Sequence, residues 1–189
     1  AVRQHFSEAP QRQYRTKTIV RKVPATAFYY AFRMGKRTDA EFYQADLLSD
    51  YLGNEKTSPL YIDIKKKKKL CAEITAYITA SFDEGLFVIS GKLQPGKSIE
   101  QLEDALWPLL EKTGQKAISK SSLNELKLKL RTSRAFQDQG LLNRAMNLAY
   151  FELLGSANMI NEEAQHYNQI NTKGLQDFAH KTFRKSNCS

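Results

Sequence analysis

An α+β fold is predicted for this chain, an antiparallel sheet with helices packed on one face. Three observations predict it. "AFYYAFRM" at 27–34 puts Phe28, Tyr30, Phe32 and Met34 at period two, the pattern of a half-buried strand. "AEITAYITASFDEGLFVISGKL" at 72–93 reads as a hairpin, with strands at 73–81 and 85–93 and "FDEG" as the turn. Beyond Ser98 the apolar residues recur at helical spacing to the end of the chain. The order is strand, helix, helix, strand, strand, then helices. It lacks the strand–helix alternation of a nucleotide-binding sheet.

Each element follows from its own residues. Residues 1–24 are polar and aperiodic, punctuated by Pro10 and Pro24, and read as a linker or tail ahead of a domain at 25–189. Thr38 or Asp39 can cap a helix that carries Phe42, Ala45, Leu48 and Leu52, with Gly53 as its terminator. A second short helix places Pro59 in its first turn and Leu60 and Ile64 on one side. Ser98 and Gln101 form a capping box ahead of Leu102, Ala105, Leu106 and Leu109. Pro108 inside that pattern predicts a kink or an early end. Ser122 and Glu125 form a second box, opening Leu123, Leu126 and Leu130. "LLNRAMNLAYFELLG" at 141–155 is an apolar helix stopped by Gly155, which is expected at positive φ. "MINEEAQHYNQI" and "TKGLQDFAHKTF" give two more helices, the last capped by Thr172.

Composition narrows the function. The 189 residues suit one domain, and 41% hydrophobic with 11% aromatic residues supply a real core. A net charge of +9 points to an anionic partner, though not to a fold. No run of about 18 apolar residues exists, so no membrane span is expected. The N-terminus has no initiator Met and no apolar signal core, and the chain reads as a piece of a longer protein truncated at its C-terminal end. Cys71 and Cys188 make no disulfide framework and leave the redox compartment open. His5, His166 and His180 stand apart from other ligands, so no metal site is expected in this chain. "GKS" at 96–98 lacks the upstream glycine of a phosphate loop, and no Ser or Cys sits in a nucleophile motif. Glu162 and Glu163 read as the solvated face of a helix.

Lys65 to Lys69 form an unbroken run between a helical and a strand-like stretch. Five lysines could hold phosphates through counterion release. The run holds neither arginine nor a stacking aromatic, and consecutive helical residues point all round the axis. The preferred reading is a solvated helix end, where lysines meet the negative end of the helix dipole. No nucleic-acid partner is expected.

The string "TSPLYIDIKKKKKLCAEITAYITASFDEGLFVISGKL" resembles the second-half domain of the pitrilysin/insulinase family of zinc peptidases, which includes mitochondrial processing peptidase. Thr57-Ser58-Pro59-Leu60-Tyr61 stands where that family has a Ser-Ser-Arg-Leu-Tyr-like stretch. Asp83-Glu84-Gly85-Leu86-Phe87 matches its hairpin-closing Asp-x-Gly-Leu-Phe at ungapped spacing. "RKVPATAFYYAFRMGKRTDAEFYQADLLSDYLG" is similar to the domain's first strand and helix. "LLNRAMNLAYFELLG" and "FRKSNCS" resemble bacterial members, and the likeness covers about residues 5–189.

The resemblance implies a non-catalytic half that encloses an unfolded peptide and packs on a zinc-bearing half-domain or partner subunit. Zinc would sit on the His-x-x-Glu-His helix of that other half, with no cofactor in this chain. The family's inactive half often supplies an Arg and, seven residues on, a Tyr that touch the substrate. The ungapped match puts Lys65 at the Arg position and Ala72 at the Tyr position. Lysine keeps the charge without the two-pronged geometry, and alanine has no phenol. Two alternatives stand beside this reading: a structural or partner-subunit module with no proteolytic role, and a nucleic-acid binder acting through Lys65–Lys69. The resemblance to exported bacterial members suggests the periplasm or cell envelope.

Overall fold

The computed structural model describes residues 9, 11–79, 82–137 and 139–189. His5, Pro10 and the expected strand end at 80–81 lie outside these residues. Strands β1 (Ala27–Met34), β2 (Cys71–Ile78) and β3 (Gly85–Leu93) form an antiparallel sheet in the order β1-β3-β2. Phe32 stands opposite Phe87, and Ala76 opposite Ile89. Between β1 and β2 the chain makes α1 (Ala40–Gly53) and a π-helix (Leu60–Lys67). Five helices follow the hairpin: α2 (Ile99–Gln115), α3 (Lys120–Gln137), α4 (Leu141–Leu154), α5 (Met159–Gln169) and α6 (Thr172–Thr182). On the outer edge of β1, Ser189 and Ala31 exchange backbone hydrogen bonds of 2.8 and 2.9 Å.

The period-two residues of β1 do what the sequence expects. Phe28, Tyr30, Phe32 and Met34 are all buried, and Phe32 packs edge-on against Phe183, with ring centroids 5.2 Å apart. Leu47, Leu48 and Leu52 of α1, Leu102, Leu106 and Leu110 of α2, and Leu175 and Phe178 of α6 complete the core. Each such side chain contributes about 1.5–3 kcal/mol of hydrophobic stabilisation. The other sheet face carries Tyr29, Tyr77 and Leu86, all exposed.

Several local readings shift. Asp39 precedes α1 but its carboxylate accepts from the backbone of Lys36, not from the helix. The Ser98–Gln101 capping box is present as expected. Helix α2 nevertheless continues through Pro108 to Gln115, against the expected early end. Pro108 and Asp104 both face solvent, so the carbonyl that loses its donor can bond water. Leu110 is fully buried, while Leu109 only borders the core. The cap of α3 is Ser119, whose Oγ accepts from the Ser122 amide at 3.0 Å, so Ser122 lies inside the helix. Asn171, one residue before Thr172, caps α6 through its side-chain oxygen at 2.9 Å.

Gly155 ends α4 at φ +144, and its amide bonds back to Glu152. A Cβ there meets only the Met159 Sδ, at 4.0 Å, but an unfavourable backbone conformation. Gly155→Leu is therefore expected to lower stability by about 1 kcal/mol or more. Thermal unfolding checks it, and an unchanged midpoint would show that the helix end tolerates a side chain.

Candidate functional site

The junction between the π-helix and β2 holds both residues that the family pattern singles out. Ser58, almost fully buried, starts the helix by accepting from the Tyr61 amide at 3.4 Å. The next turns are wider than α-helical, as the Lys68 amide donates to the Asp63 carbonyl five residues back at 3.3 Å. Leu60 and Ile64 are fully buried and fix the inner side. Lys69 takes φ +51, a left-handed conformation that turns the chain toward the sheet. The exit is pinned twice: the Leu70 amide donates to the Ile64 carbonyl at 3.1 Å, and the Gln94 amide donates to the Leu70 carbonyl at 2.9 Å.

Lys65 lies half-exposed with its Nζ 5.3 Å from the Tyr61 ring centroid, a cation–π contact. Ala72 sits at a β-bulge: Cys71 opposes Leu93 and Glu73 opposes Lys92, leaving Ala72 without a partner. Cys71 joins the two positions. Burial raises its thiol pKa to about 11, and the charge of Lys65 works against that rise. Lys65 in the π-helix and Ala72 at the start of β2 thus stand on either side of the turn at Lys69. Lys67 pairs with Asp63 at 2.8 Å, whereas Lys66, Lys68 and Lys69 are exposed and have no ion-pair partner among the described residues.

A second cluster was hidden in the sequence. Arg37, in the loop after β1, donates to Glu163 of α5. Arg134 of α3 reaches the other oxygen of Glu163 at 2.7 Å. The guanidinium carbon of Arg37 lies 4.1 Å from the Phe42 ring centroid, and that of Arg134 lies 4.6 Å from the Tyr167 ring centroid. Tyr167 donates to Asp46 of α1 at 2.5 Å, and burial raises the Asp46 pKa even against that hydrogen bond. His166 stacks on Tyr43 at 4.7 Å. Glu163, expected on a solvated face, is only 5% exposed, because two arginines from other elements converge on it. Glu162 does face solvent. The cluster ties α1, α3 and α5 together.

A cleft of about 590 Å³ opens elsewhere, between the end of β1 and the C-terminal end of α6. Its charges largely satisfy one another, with Lys181 on Glu41 at 2.5 Å and Arg33 on Glu84 at 3.3 Å. Among the described residues no three His, Cys, Asp or Glu side chains converge as metal ligands. No described helix is long and apolar enough to cross a membrane.

Comparison with known proteins agrees with the fold. A protease from Helicobacter pylori superposes with a TM-score of 0.89 at 19% identity, covering 95% of this chain and 44% of its own. The inactive peptidase domain of a candidate zinc protease from Bordetella parapertussis gives 0.80 at 19% identity, covering 90% and 91%. A peptidase M16 inactive domain from Pseudomonas fluorescens gives 0.71 at 13% identity, covering 86% and 39%. The chain therefore spans less than half of the Helicobacter protease and nearly all of the Bordetella domain. No curated protein matches it in sequence. The family described as "Peptidase M16 inactive domain" matches residues 2–130. With that match and the three-stranded antiparallel sheet, this chain belongs to the peptidase M16 inactive-domain family, the non-catalytic half-domain of a zinc peptidase lineage.

Proposed function

We propose that this chain walls one side of a peptide chamber in a zinc-dependent endopeptidase and packs on a zinc-bearing half that supplies all the chemistry. The observation that carries the reading is the inactive-domain match over residues 2–130. A further support is helix α4. Leu141, Leu142, Met146 and Leu153 stand 62–82% exposed along it, more apolar surface than an isolated helix face usually leaves in water. A partner body that covers this face accounts for it. In that assembly the other half holds the zinc, which activates the attacking water. This half encloses an extended peptide, with Lys65 beside it and Ala72 leaving room where the family pattern has a phenol.

One observation favours a second reading, a partner-subunit module with no proteolytic role. Lys65 and Ala72 replace both side chains of the family's substrate-contacting pair. Reconstitution separates the two. The chain alone is expected to cleave no unstructured peptide. Mixed with a His-x-x-Glu-His half-domain from the same source, it should restore zinc-dependent cleavage. Lys65→Arg with Ala72→Tyr should then raise kcat/KM by about tenfold, since a bidentate donor and a phenol return to the substrate's side. Association without any cleavage would favour the structural module, and cleavage by the chain alone would overturn the proposal.

A further inference from the structure

We propose that the lysines leaving the π-helix form a binding subsite for short acidic peptide segments. The inference rests on the peptide-chamber reading above and names the chemistry of the peptide that it favours.

The run is a built feature and not a loose tail. Its first residues belong to the π-helix, whose inner side is fixed by buried Leu60 and Ile64. Its last residue is followed at once by Leu70, held to both Ile64 and Gln94 by backbone hydrogen bonds. The lysine backbone is therefore positioned before any ligand arrives, and the ordering cost that remains is that of the exposed lysine side chains.

The charges are also unbalanced. Asp63 engages Lys67, and the ring of Tyr61 lies under Lys65. Lys66, Lys68 and Lys69 keep exposed ammonium groups with no carboxylate within ion-pair reach among the described residues. Like charges this close repel, and an acidic ligand relieves that repulsion while gaining attraction.

Exposed carboxylates flank the run on both sides in the sequence. Asp63 at one end is 43% exposed, and Glu73 at the other is 65% exposed. A long polyanion such as duplex DNA would run its phosphates over these carboxylates. A segment with two or three adjacent Asp or Glu residues carries enough charge for Lys66, Lys68 and Lys69, the three lysines of the run left unpaired among the described residues. Glu73 is itself paired with Lys92 at 3.1 Å. One ring in the patch, Tyr61, is already covered by Lys65 and offers no stacking platform for bases.

Fluorescence anisotropy with the intact chain tests the proposal. The probes are a labelled unstructured dodecapeptide carrying three adjacent glutamates, and the same peptide with glutamines. At low ionic strength the glutamate peptide is expected to bind on the order of tenfold more tightly, the sum of a few exposed ion pairs. The preference should fade as salt rises past about 0.2 M, where the screening length falls below about 8 Å. Lys66→Gln/Lys68→Gln/Lys69→Gln should erase the tenfold difference while the protein stays folded, because all three side chains are in solvent. Equal binding of both peptides, or full retention by the triple variant, would overturn the subsite. So would a short DNA duplex that binds more tightly than the glutamate peptide and loses that affinity in the triple variant. The measurement needs no zinc-bearing half, so its failure leaves the pairing tested by reconstitution untouched.

Discussion

Glu163→Leu is expected to destabilise the protein by about 3–5 kcal/mol, the cost of removing one partner from a buried ion pair. For a domain of this size that lowers the thermal midpoint by about 6–20 °C, at about 2–4 °C for each kcal/mol. The wild-type carboxylate accepts from Arg37 and from Arg134 at once. Removing it strands Arg37, whose side chain is only 7% exposed and lies under the rings of Phe42, Tyr43 and Phe151. Arg134 is 31% exposed and can turn to water, so the penalty falls mainly on Arg37. Two controls identify the mechanism. Glu162→Leu, one residue away and in solvent, should change stability by less than about 0.5 kcal/mol. Arg37→Met combined with Glu163→Leu should recover much of the loss, because no buried charge is then left alone. If the double variant is no more stable than the single one, the cost lies in packing of α5 and not in the uncompensated arginine.

The Arg37–Glu163 pair also marks the limit of what the sequence makes legible. Strand β1 and the β2–β3 hairpin declare themselves because their signals are local: period-two alternation and the turn residues of "FDEG". Arg37 and Glu163 lie 126 residues apart and meet only because α5 docks beside the loop after β1. Nothing near Glu163 distinguishes it from Glu162, so helical spacing alone puts both in water. The caps of α3 and α6 fail for a nearer reason. Ser119 and Ser122, and likewise Asn171 and Thr172, are rival cap residues a few positions apart, and backbone conformation selects between them. The short helix at 60–67 is legible as a helix, but not its five-residue bonding, because the four-residue spacing of buried Leu60 and Ile64 suits an ordinary helix equally well. At the candidate site, Lys65 and Ala72 were reached only through family resemblance. Spacing carries no hint that a bulge lies at Ala72.

Gly53→Ala is expected to destabilise the protein by about 1–3 kcal/mol or more, the usual cost of forcing atoms into a filled core. Helix propensity alone predicts the opposite sign, since alanine is favoured over glycine by about 1 kcal/mol inside a helix. The position separates the two arguments because Gly53 is not the left-handed terminator that its place after Leu52 suggests. It is the last residue of α1 and is absent from the positive-φ glycines, and Asn54 forms the C-cap. Its hydrogen is needed for contact. A Cβ on Gly53 would fall 2.1 Å from the Ala76 backbone nitrogen and 2.8 Å from the Ala76 Cβ. Ala76 is in the middle of β2 and paired to Ile89 of the central strand, so it cannot retreat without breaking the ladder. The helix would have to lift instead, and with it the buried side chains of Leu48 and Leu52. Thermal or urea unfolding of Gly53→Ala gives the sign directly, and Gly53→Val should be worse still. A stabilised Gly53→Ala would mean that α1 does not press this closely on β2 and that helix propensity governs the position.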